Sequence, residues 1–315
     1  MSKKIIIAVD SGKFATKAIR KLEDGTNKSI IFRTKMDLTQ EEKSSDKRSC
    51  VIEYNGTKYL IGESAETVDF EKNKAKLVHK ISTYAAIAQL LDNQNDVDVV
   101  LAIGCPLSIF VNVEEREKYK NFFLADGDIT IKLNGVKRTF NIVQVVVCPE
   151  SSGIIFKNSS EYKSKLLGVI DIGGLNTNCC VYNRLAPIKS TSFTTNLGAN
   201  IMTNDLKQKI NSEFVDVNLQ DWQMETVIKD GYIKSHKAES SALIKNFFEK
   251  HMKDILFECE RKGWDLKNID LIFTGGGSKL LEQEIVRAVP DALISNSAQL
   301  DNVEGFYIVG AASVE

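Results

Sequence analysis

Two stretches of the chain place an aspartate, a glycine and a threonine at the same spacing behind an apolar run. The first is Ile5 to Val9 followed by Asp10-Ser11-Gly12-Lys13-Phe14-Ala15-Thr16; the second is Leu167 to Ile170 followed by Asp171-Ile172-Gly173-Gly174-Leu175-Asn176-Thr177. A third cluster, Gly275-Gly276-Gly277-Ser278, closes the apolar segment that ends at Thr274. Glycine carries no side chain, so its N–H groups can line a nest that comes close to phosphate oxygens. Each turn taken alone is also an ordinary hairpin turn. Asp10 and Asp171, delivered by strand ends, suit a hydrated Mg2+, which keeps several waters and takes few carboxylates; the competing reading is that both only stabilise Asx-turns. Lys17, on the return strand, could offset phosphate charge during phosphoryl transfer or could be a solvated strand lysine, whereas Lys13, in the turn itself, is expected to be exposed. Glu150 follows an apolar strand and a proline, where its carboxylate could orient or deprotonate a water attacking a γ-phosphate, or could be a solvent-facing loop acid.

Other chemistries lack their residues. Gly275-Gly-Gly-Ser-Lys279 misses the first glycine of a P-loop, and no GxGxxG, GxSxG, HExxH or EF-hand loop is present. The cysteines Cys50, Cys105, Cys148, Cys179, Cys180 and Cys259 show no CxxC spacing, and His79, His236 and His251 are scattered, which argues against a zinc site and for reduced thiols in a cytoplasm. Lys and Arg total 41 against 42 Asp and Glu, a formal charge of −1, which disfavours sequence-blind DNA binding by the whole surface. The apolar runs are too short for an export signal or a membrane span, so a cytoplasmic protein with no membrane partner is expected.

These residues need elements to hold them. At 315 residues, with 43% hydrophobic and 26% charged residues, the chain is about twice an ordinary ~150-residue domain and can bury two cores. Each Asp-x-Gly copy reads as a β-hairpin, and their separation by half the chain suggests two related halves, each giving one glycine turn to a shared ligand. Asn55-Gly56 and Asn134-Gly135 mark further hairpins, the second spanning Ile129 to Phe140. Apolar periodicity predicts helices over 74–91, 114–124, 199–210, 238–262 and 279–289, the fourth with Leu243, Phe247, Phe248, Met252, Ile255 and Leu256 on one stripe. Buried strands are predicted over 97–103, 143–148 and 270–274. Gly198 reads as a turn glycine before a helix. The apolar tail from Gly305 is expected to pack back on the first half. The resulting division is 1–165 with 300–315, and 166–299.

The set and order of these motifs resemble the actin-like ATPase superfamily, and in detail its plasmid-segregating ParM/StbA type of bacterial actin. The residues that carry the resemblance are Asp10-x-Gly12-x-x-x-x-Lys17, the Tyr-x-x-Gly62-Glu-Ser-Ala element, Ala102-Ile-Gly104-Cys-Pro106-Leu, Val147-Cys-Pro149-Glu150, Asp171-Ile-Gly173-Gly174, Phe273-Thr-Gly275-Gly276-Gly277 and Asn302-Val-x-Gly305, spread over nearly the whole chain. The resemblance implies a two-domain α/β fold, a duplicated ribonuclease-H-like arrangement with the nucleotide in the interdomain cleft. It implies ATP or ADP phosphates embraced by a first loop (Asp10, Ser11, Gly12, Lys13, Phe14, Lys17) and a second loop (Asp171, Gly173, Gly174, Leu175, Asn176). Glu150 would align the hydrolytic water, and Asp10 and Asp171 would hold Mg2+ through water. Gly198, Gly275, Gly276, Gly277 and Ser278 would line the adenosine pocket. Phe14 and Leu175 stand where eukaryotic actin has glycine, a departure that suits the plasmid branch.

Function follows from the same resemblance: an ATPase of the bacterial cytoplasm that polymerises with itself into filaments and segregates plasmid DNA. DNA would be engaged through a separate DNA-binding adaptor on a centromere-like site, without direct contact. The alternatives are a small-molecule, sugar-type kinase, for which no sugar-site motif is visible, and a non-filamentous ATPase of the same superfamily.

Overall fold

The computed structural model describes residues 4–68 and 74–314. The chain divides into two compact units, residues 1–160 with 300–315, and residues 161–299.

Unit 1 is built on a nine-stranded mixed sheet in the order β3-β2-β1-β7-β9-β8-β5-β6-β4. Its strands are β1 (Ile5–Ser11), β2 (Ala15–Lys21), β3 (Asn27–Arg33), β4 (Met36–Leu38), β5 (Ser49–Tyr54), β6 (Thr57–Gly62), β7 (Val97–Cys105), β8 (Asp128–Leu133) and β9 (Val136–Pro149). Helices α1 (Leu77–Leu91), α2 (Leu107–Phe110), α3 (Val113–Leu124), α4 (Gly153–Lys157) and α5 (Ser159–Tyr162) follow the chain order, α5 running across the boundary between the units. The central strands β1, β7 and β9 are mutually parallel. Parallel strands are covered on both faces, which is why Ile5 to Val9 and Val99 to Ile103 are continuously apolar rather than alternating. Ile7, Val9, Leu101 and Ile103 join α1 and α3 in the larger core, whereas Ala8 and Ala102 face the other way. Small side chains there admit a helix, where Val303 and Phe306 pack.

Asn55-Gly56 and Asn134-Gly135 each close a hairpin with both residues at positive φ, as a type I′ turn requires. The segment around Val143 does not form a separate strand. Val136–Pro149 is one strand of 14 residues that pairs antiparallel with β8 and then parallel with β7, with a register shift at Val99/Val100. Helix α1 starts at Leu77, leaving Lys74 in the segment before it.

Unit 2 holds a six-stranded sheet, β12-β11-β10-β14-β15 with β13 paired to β11. Its strands are β10 (Leu166–Ile172), β11 (Thr177–Asn183), β12 (Ala186–Pro187), β13 (Phe193–Thr195), β14 (Asp270–Thr274) and β15 (Leu293–Ile294), and its helices are α6 (Ala199–Glu213), α7 (Asp221–Asp230), α8 (Lys237–Arg261), α9 (Gly276–Leu280) and α10 (Glu282–Ala288). The predicted stripe of α8 is rotated: Ser240, Ile244, Phe248, His251, Met252, Ile255 and Cys259 are buried, and Leu243, Phe247 and Leu256 flank them. The helix predicted from Lys279 begins at Gly276 and is broken at Leu281, so the glycines form its first turn.

The C-terminal segment returns to unit 1 as a helix, α11 (Asp301–Ala312), against β1, β7 and α4. A Cβ on Gly305 would fall 2.1 Å from the Gly153 carbonyl oxygen, so α11 and α4 meet backbone to backbone. Among the described residues no helix is long and apolar enough to cross a membrane.

One polar cluster locks unit 1. The Asp126 carboxylate accepts from Lys80 Nζ at 2.9 Å, Tyr54 Oη at 2.7 Å and Tyr84 Oη at 2.5 Å, tying β5 and α1 to the loop before β8. Burial pushes the Asp126 carboxyl upward, but the hydrogen bonds from Tyr84, Lys80 and Tyr54 outweigh it and hold the group below its ordinary value. Its stabilising contribution is therefore present above the ordinary carboxylate range and is lost as pH falls through the lowered value. Asp126→Asn is expected to lower unfolding free energy by about 1–3 kcal/mol at neutral pH, and the gap to the wild type is expected to close in acid, as urea titrations at several pH values would measure.

Candidate functional site

In unit 1, β1 ends at Ser11 and turns into β2 with Asp10 opposite Lys17 and Ser11 opposite Thr16. A Cβ on Gly12 would lie 2.8 Å from the Ala15 carbonyl oxygen, so the turn itself excludes a side chain. Asp10 is 5% exposed and accepts from Asn302 Nδ2 of α11 at 3.3 Å. Gly104 lies beside it: a Cβ there would stand 3.5 Å from Asp10 Oδ1 and collide with the Phe306 ring at 2.7 Å. Ser11 is fully buried, with Oγ 2.9 Å from His79 Nδ1 on α1. Phe14 is occupied by Arg33, whose guanidinium sits 3.6 Å over the ring centroid and whose Nε donates to the Phe14 carbonyl. Lys17 is half-buried and makes no ion pair among the described residues. Lys13 is half-buried in the turn.

Glu150 stands at the end of β9, its N–H bonded to the Cys105 carbonyl at 2.8 Å and its side chain 12% exposed. The next residue, Ser151, is buried with φ 66°, a left-handed conformation that is uncommon outside glycine and clusters at functional sites. Between Glu150 and Asp10 lies a side chain that no motif announced. Lys74, 3% exposed, pairs through Nζ with Glu150 Oε1 and stands 3.9 Å from Asp10 Oδ1. Burial, the largest influence, pulls this ammonium's pKa down, and the charges of Glu150 and then Asp10 more than reverse it, so it is held above its ordinary value. Tyr119, pushed well up by burial, donates to the Gly104 carbonyl at 3.2 Å and completes the polar lining.

Unit 2 repeats the hairpin with different supports. The Gly173 N–H bonds the Asn176 carbonyl at 2.9 Å, and a Cβ on Gly173 would meet that same oxygen at 2.9 Å, the counterpart of Gly12 and Ala15. The start of α6 is tied to this turn by Ala199 N–H to Gly173 O and Asn200 N–H to Gly174 O, at 2.9 and 2.8 Å. Gly198 permits it, since a Cβ there would lie 2.3 Å from Leu175 C and 2.5 Å from Asn176 N. Asp171 is 7% exposed and sits beside Thr274 in the sheet. Gly275, at φ +81°, brings the end of β14 against it, a Cβ there falling 2.3 Å from Asp171 Oδ1. Gly277 packs on Ile172 and Ala199, whereas Gly276 faces open space. Ser278 is buried and its hydroxyl donates to the Gly275 carbonyl at 2.8 Å, so that side chain serves the turn.

The structure thus gathers Asp10, Ser11, Gly12 and Glu150 in unit 1, and Asp171, Gly173, Gly174, Leu175, Asn176, Gly198 and Gly275 to Gly277 in unit 2. Lys74, His79 and Tyr119 were missed, since none belongs to a spaced motif; Asn302 was marked only within the resemblance. Among the described residues no group of three His, Cys, Asp or Glu could hold a metal directly. The Lys74 ammonium between Asp10 and Glu150 shows that this part of unit 1 accommodates positive charge, as a hydrated Mg2+ would require. All six cysteines are free and buried, and burial pushes the thiols of Cys50, Cys148 and Cys180 up to about 12, which disfavours their thiolate forms.

A family model described as "Actin like proteins N terminal domain" matches residues 8–153, and one described as "Archaeal actin homologue MreB-like, C-terminal" matches residues 169–287. Among solved structures the chain is similar to Ta0583, an archaeal actin homologue, with a TM-score of 0.83 at 21% identity over 98% of this chain and 99% of that one. Ta0583 is also known in complex with ADP. The Alp12 filament structure gives a TM-score of 0.74 at 28% identity over the whole of both chains. Bacillus thuringiensis ParM with ATP gives 0.73 at 15% identity over 99% of each. No protein of curated function matches the sequence.

Two glycines separate folding from ligand contact. Gly198→Ala forces a Cβ into backbone and is expected to lower unit 2 stability by about 1–3 kcal/mol. Gly276→Ala meets open space and is expected to leave the thermal midpoint unchanged while weakening nucleotide binding. Differential scanning calorimetry and titration of a fluorescent ATP analogue check the pair; equal effects on both readouts at both positions would remove the distinction.

Proposed function

This chain belongs to the actin-like superfamily, and from that premise we propose that it binds ATP with Mg2+, hydrolyses it and polymerises into filaments that segregate plasmid DNA. The observation that carries the reading is the doubled hairpin: Gly12 against the Ala15 carbonyl and Gly173 against the Asn176 carbonyl, each two residues from a nearly buried aspartate. Such turns leave backbone N–H groups for phosphate oxygens, and Asp10 and Asp171 are the carboxylates that would hold the metal, through water. Mg2+ bound with the nucleotide supplies charge neutralisation on the phosphates.

Chemistry is assigned to unit 1. The Glu150 carboxylate accepts a hydrogen bond from a water and directs its oxygen to the γ-phosphorus. A bond forms from that oxygen to phosphorus, the bond to the bridging oxygen breaks with its electron pair staying on ADP, and the water's proton passes by way of Glu150 to the departing phosphate. Lys17, which makes no ion pair among the described residues, is the cation assigned to the phosphates. Gly198 and Gly275 to Gly277 are assigned to the adenosine.

Assembly rests on support from relatives: Alp12 is solved as a filament, and a ParM is solved with ATP. A head-to-tail contact between identical protomers does not close on itself, so a nucleotide-dependent contact of this kind yields an open polymer, with hydrolysis as its timer. The near-neutral charge of −1 supports engagement of plasmid DNA in the bacterial cytoplasm through a basic adaptor on a centromere-like site.

Light scattering and pelleting with Mg-ATP, alongside phosphate release, test the reading. Scattering should rise on nucleotide addition and decay as phosphate appears; sugar-dependent ADP production with no sedimentable polymer would establish the kinase instead. Glu150→Ala is expected to keep ATP binding and assembly while slowing phosphate release by about 10²–10⁴-fold. Unchanged turnover would remove Glu150 from the mechanism.

A further inference from the structure

Lys74 has no place in the phosphate-loop scheme, yet it is among the most buried charged side chains of unit 1, at 3% exposure. An ammonium taken out of water costs several kcal/mol unless carboxylates compensate it. Here Glu150 and Asp10 do so, from the ends of two different strands. The pairing is not symmetric. Glu150 Oε1 is in direct contact with Nζ, whereas Asp10 Oδ1 is 3.9 Å away and Asp10 is separately engaged by Asn302.

The backbone of Glu150 is already fixed, by its N–H to the Cys105 carbonyl and by the left-handed Ser151 that follows. Those contacts set where the side chain starts, and they leave the direction of the carboxylate open. The contact with Lys74 sets that direction. It sets one oxygen, Oε1, against the ammonium, which restrains the side-chain torsions of the carboxylate. Lys74 is itself immobilised by burial and by its second carboxylate, so the constraint is stiff.

We propose that Lys74 is a positioning residue for hydrolysis: by holding Glu150 Oε1 it orients the carboxylate toward the attacking water, acting through Glu150 and not on the nucleotide. The inference rests on the assignment of Glu150 made above and deepens it. It also separates the duties of two lysines, with Lys17 directed at phosphate and Lys74 at the acid.

The test is a double-mutant cycle on the full chain with Lys74→Met, Glu150→Gln and the pair, measuring ATP affinity by titration of a fluorescent analogue and turnover by phosphate release. Lys74→Met is expected to lower kcat by roughly 10²-fold, the scale of a misplaced catalytic group, with ATP affinity unchanged. Adding it to Glu150→Gln should lower kcat no further, since there is no longer an acid to orient. The double variant also removes the buried charge imbalance that Lys74→Met creates, so the comparison of Glu150→Gln with the pair stands even where the single lysine variant folds poorly. A loss of ATP affinity with kcat intact would make Lys74 a phosphate ligand and overturn the proposal, as would a further fall of kcat in the pair. Wild-type protein that hydrolyses ATP while Lys74→Met does so equally well would sink this inference alone; wild-type protein without ATP turnover would sink the functional reading and this inference with it.

Discussion

Three parallel strands that stop at the same level decide what unit 1 can do. Val9 pairs with Ile103, Ile103 with Val147, and Cys105 with Pro149, so the residues that follow arrive together: Asp10 from β1, Gly104 and Cys105 from β7, Glu150 after β9. Open α/β sheets bind ligands beyond the carboxyl ends of such strands, because only there do loops and unpaired backbone groups meet. Alternation along β1 adds the side. Ile7 and Val9 enter the larger core, Ala8 faces α11, and Asp10 continues on that second face, where Asn302 reaches it. A shift of one residue in the β1–β7 register would bury the carboxylate in the apolar core instead.

Unit 2 meets the same requirement by other means. Its parallel pair, β10 and β14, sets Asp171 beside Thr274, and the chain then leaves through Gly275 at an angle that only a residue without Cβ can take this close to the carboxylate. The start of α6 is stitched to the hairpin through Gly173 and Gly174 carbonyls. Unit 1 sets a lysine and an amide beside its aspartate, whereas unit 2 brings the backbone at Gly275 against its own. The duplicated sequence pattern therefore supports two different environments.

Much of this was legible because it follows from spacing. Apolar runs ending in Asp-x-Gly give strand, turn and carboxylate together, and Pro149-Glu150 marks a strand end by chemistry that sequence displays. The misreadings have physical causes of their own. Val136–Pro149 was divided because Asn141 and Gln144 interrupt its apolar pattern, yet the strand changes partners there without leaving the sheet. The segment from Gly305 reads as a short apolar tail packed on the first half; it does pack there, but as part of helix α11, and Gly305 and Gly310 allow its close seats on α4 and on Ala102. Lys74 could not be found at all, since its partners lie 64 and 76 positions away and only the folded sheet brings them to it.

The contrast between the two surroundings bears on where reactivity can reside. A group that must accept and release a proton, or turn a water, needs neighbours that respond to charge, and a dense shell of backbone offers fixed dipoles only. Unit 1 holds a carboxylate and an ammonium in direct contact, with a histidine–serine contact beside the Asp10 strand, whereas in unit 2 the backbone at Gly275 closes on Asp171. The proposed division of labour, with unit 1 responsible for bond cleavage and unit 2 for grip, draws its support from this contrast. Both halves use the same hairpin geometry, Gly12 against the Ala15 carbonyl and Gly173 against the Asn176 carbonyl, with different side chains around it.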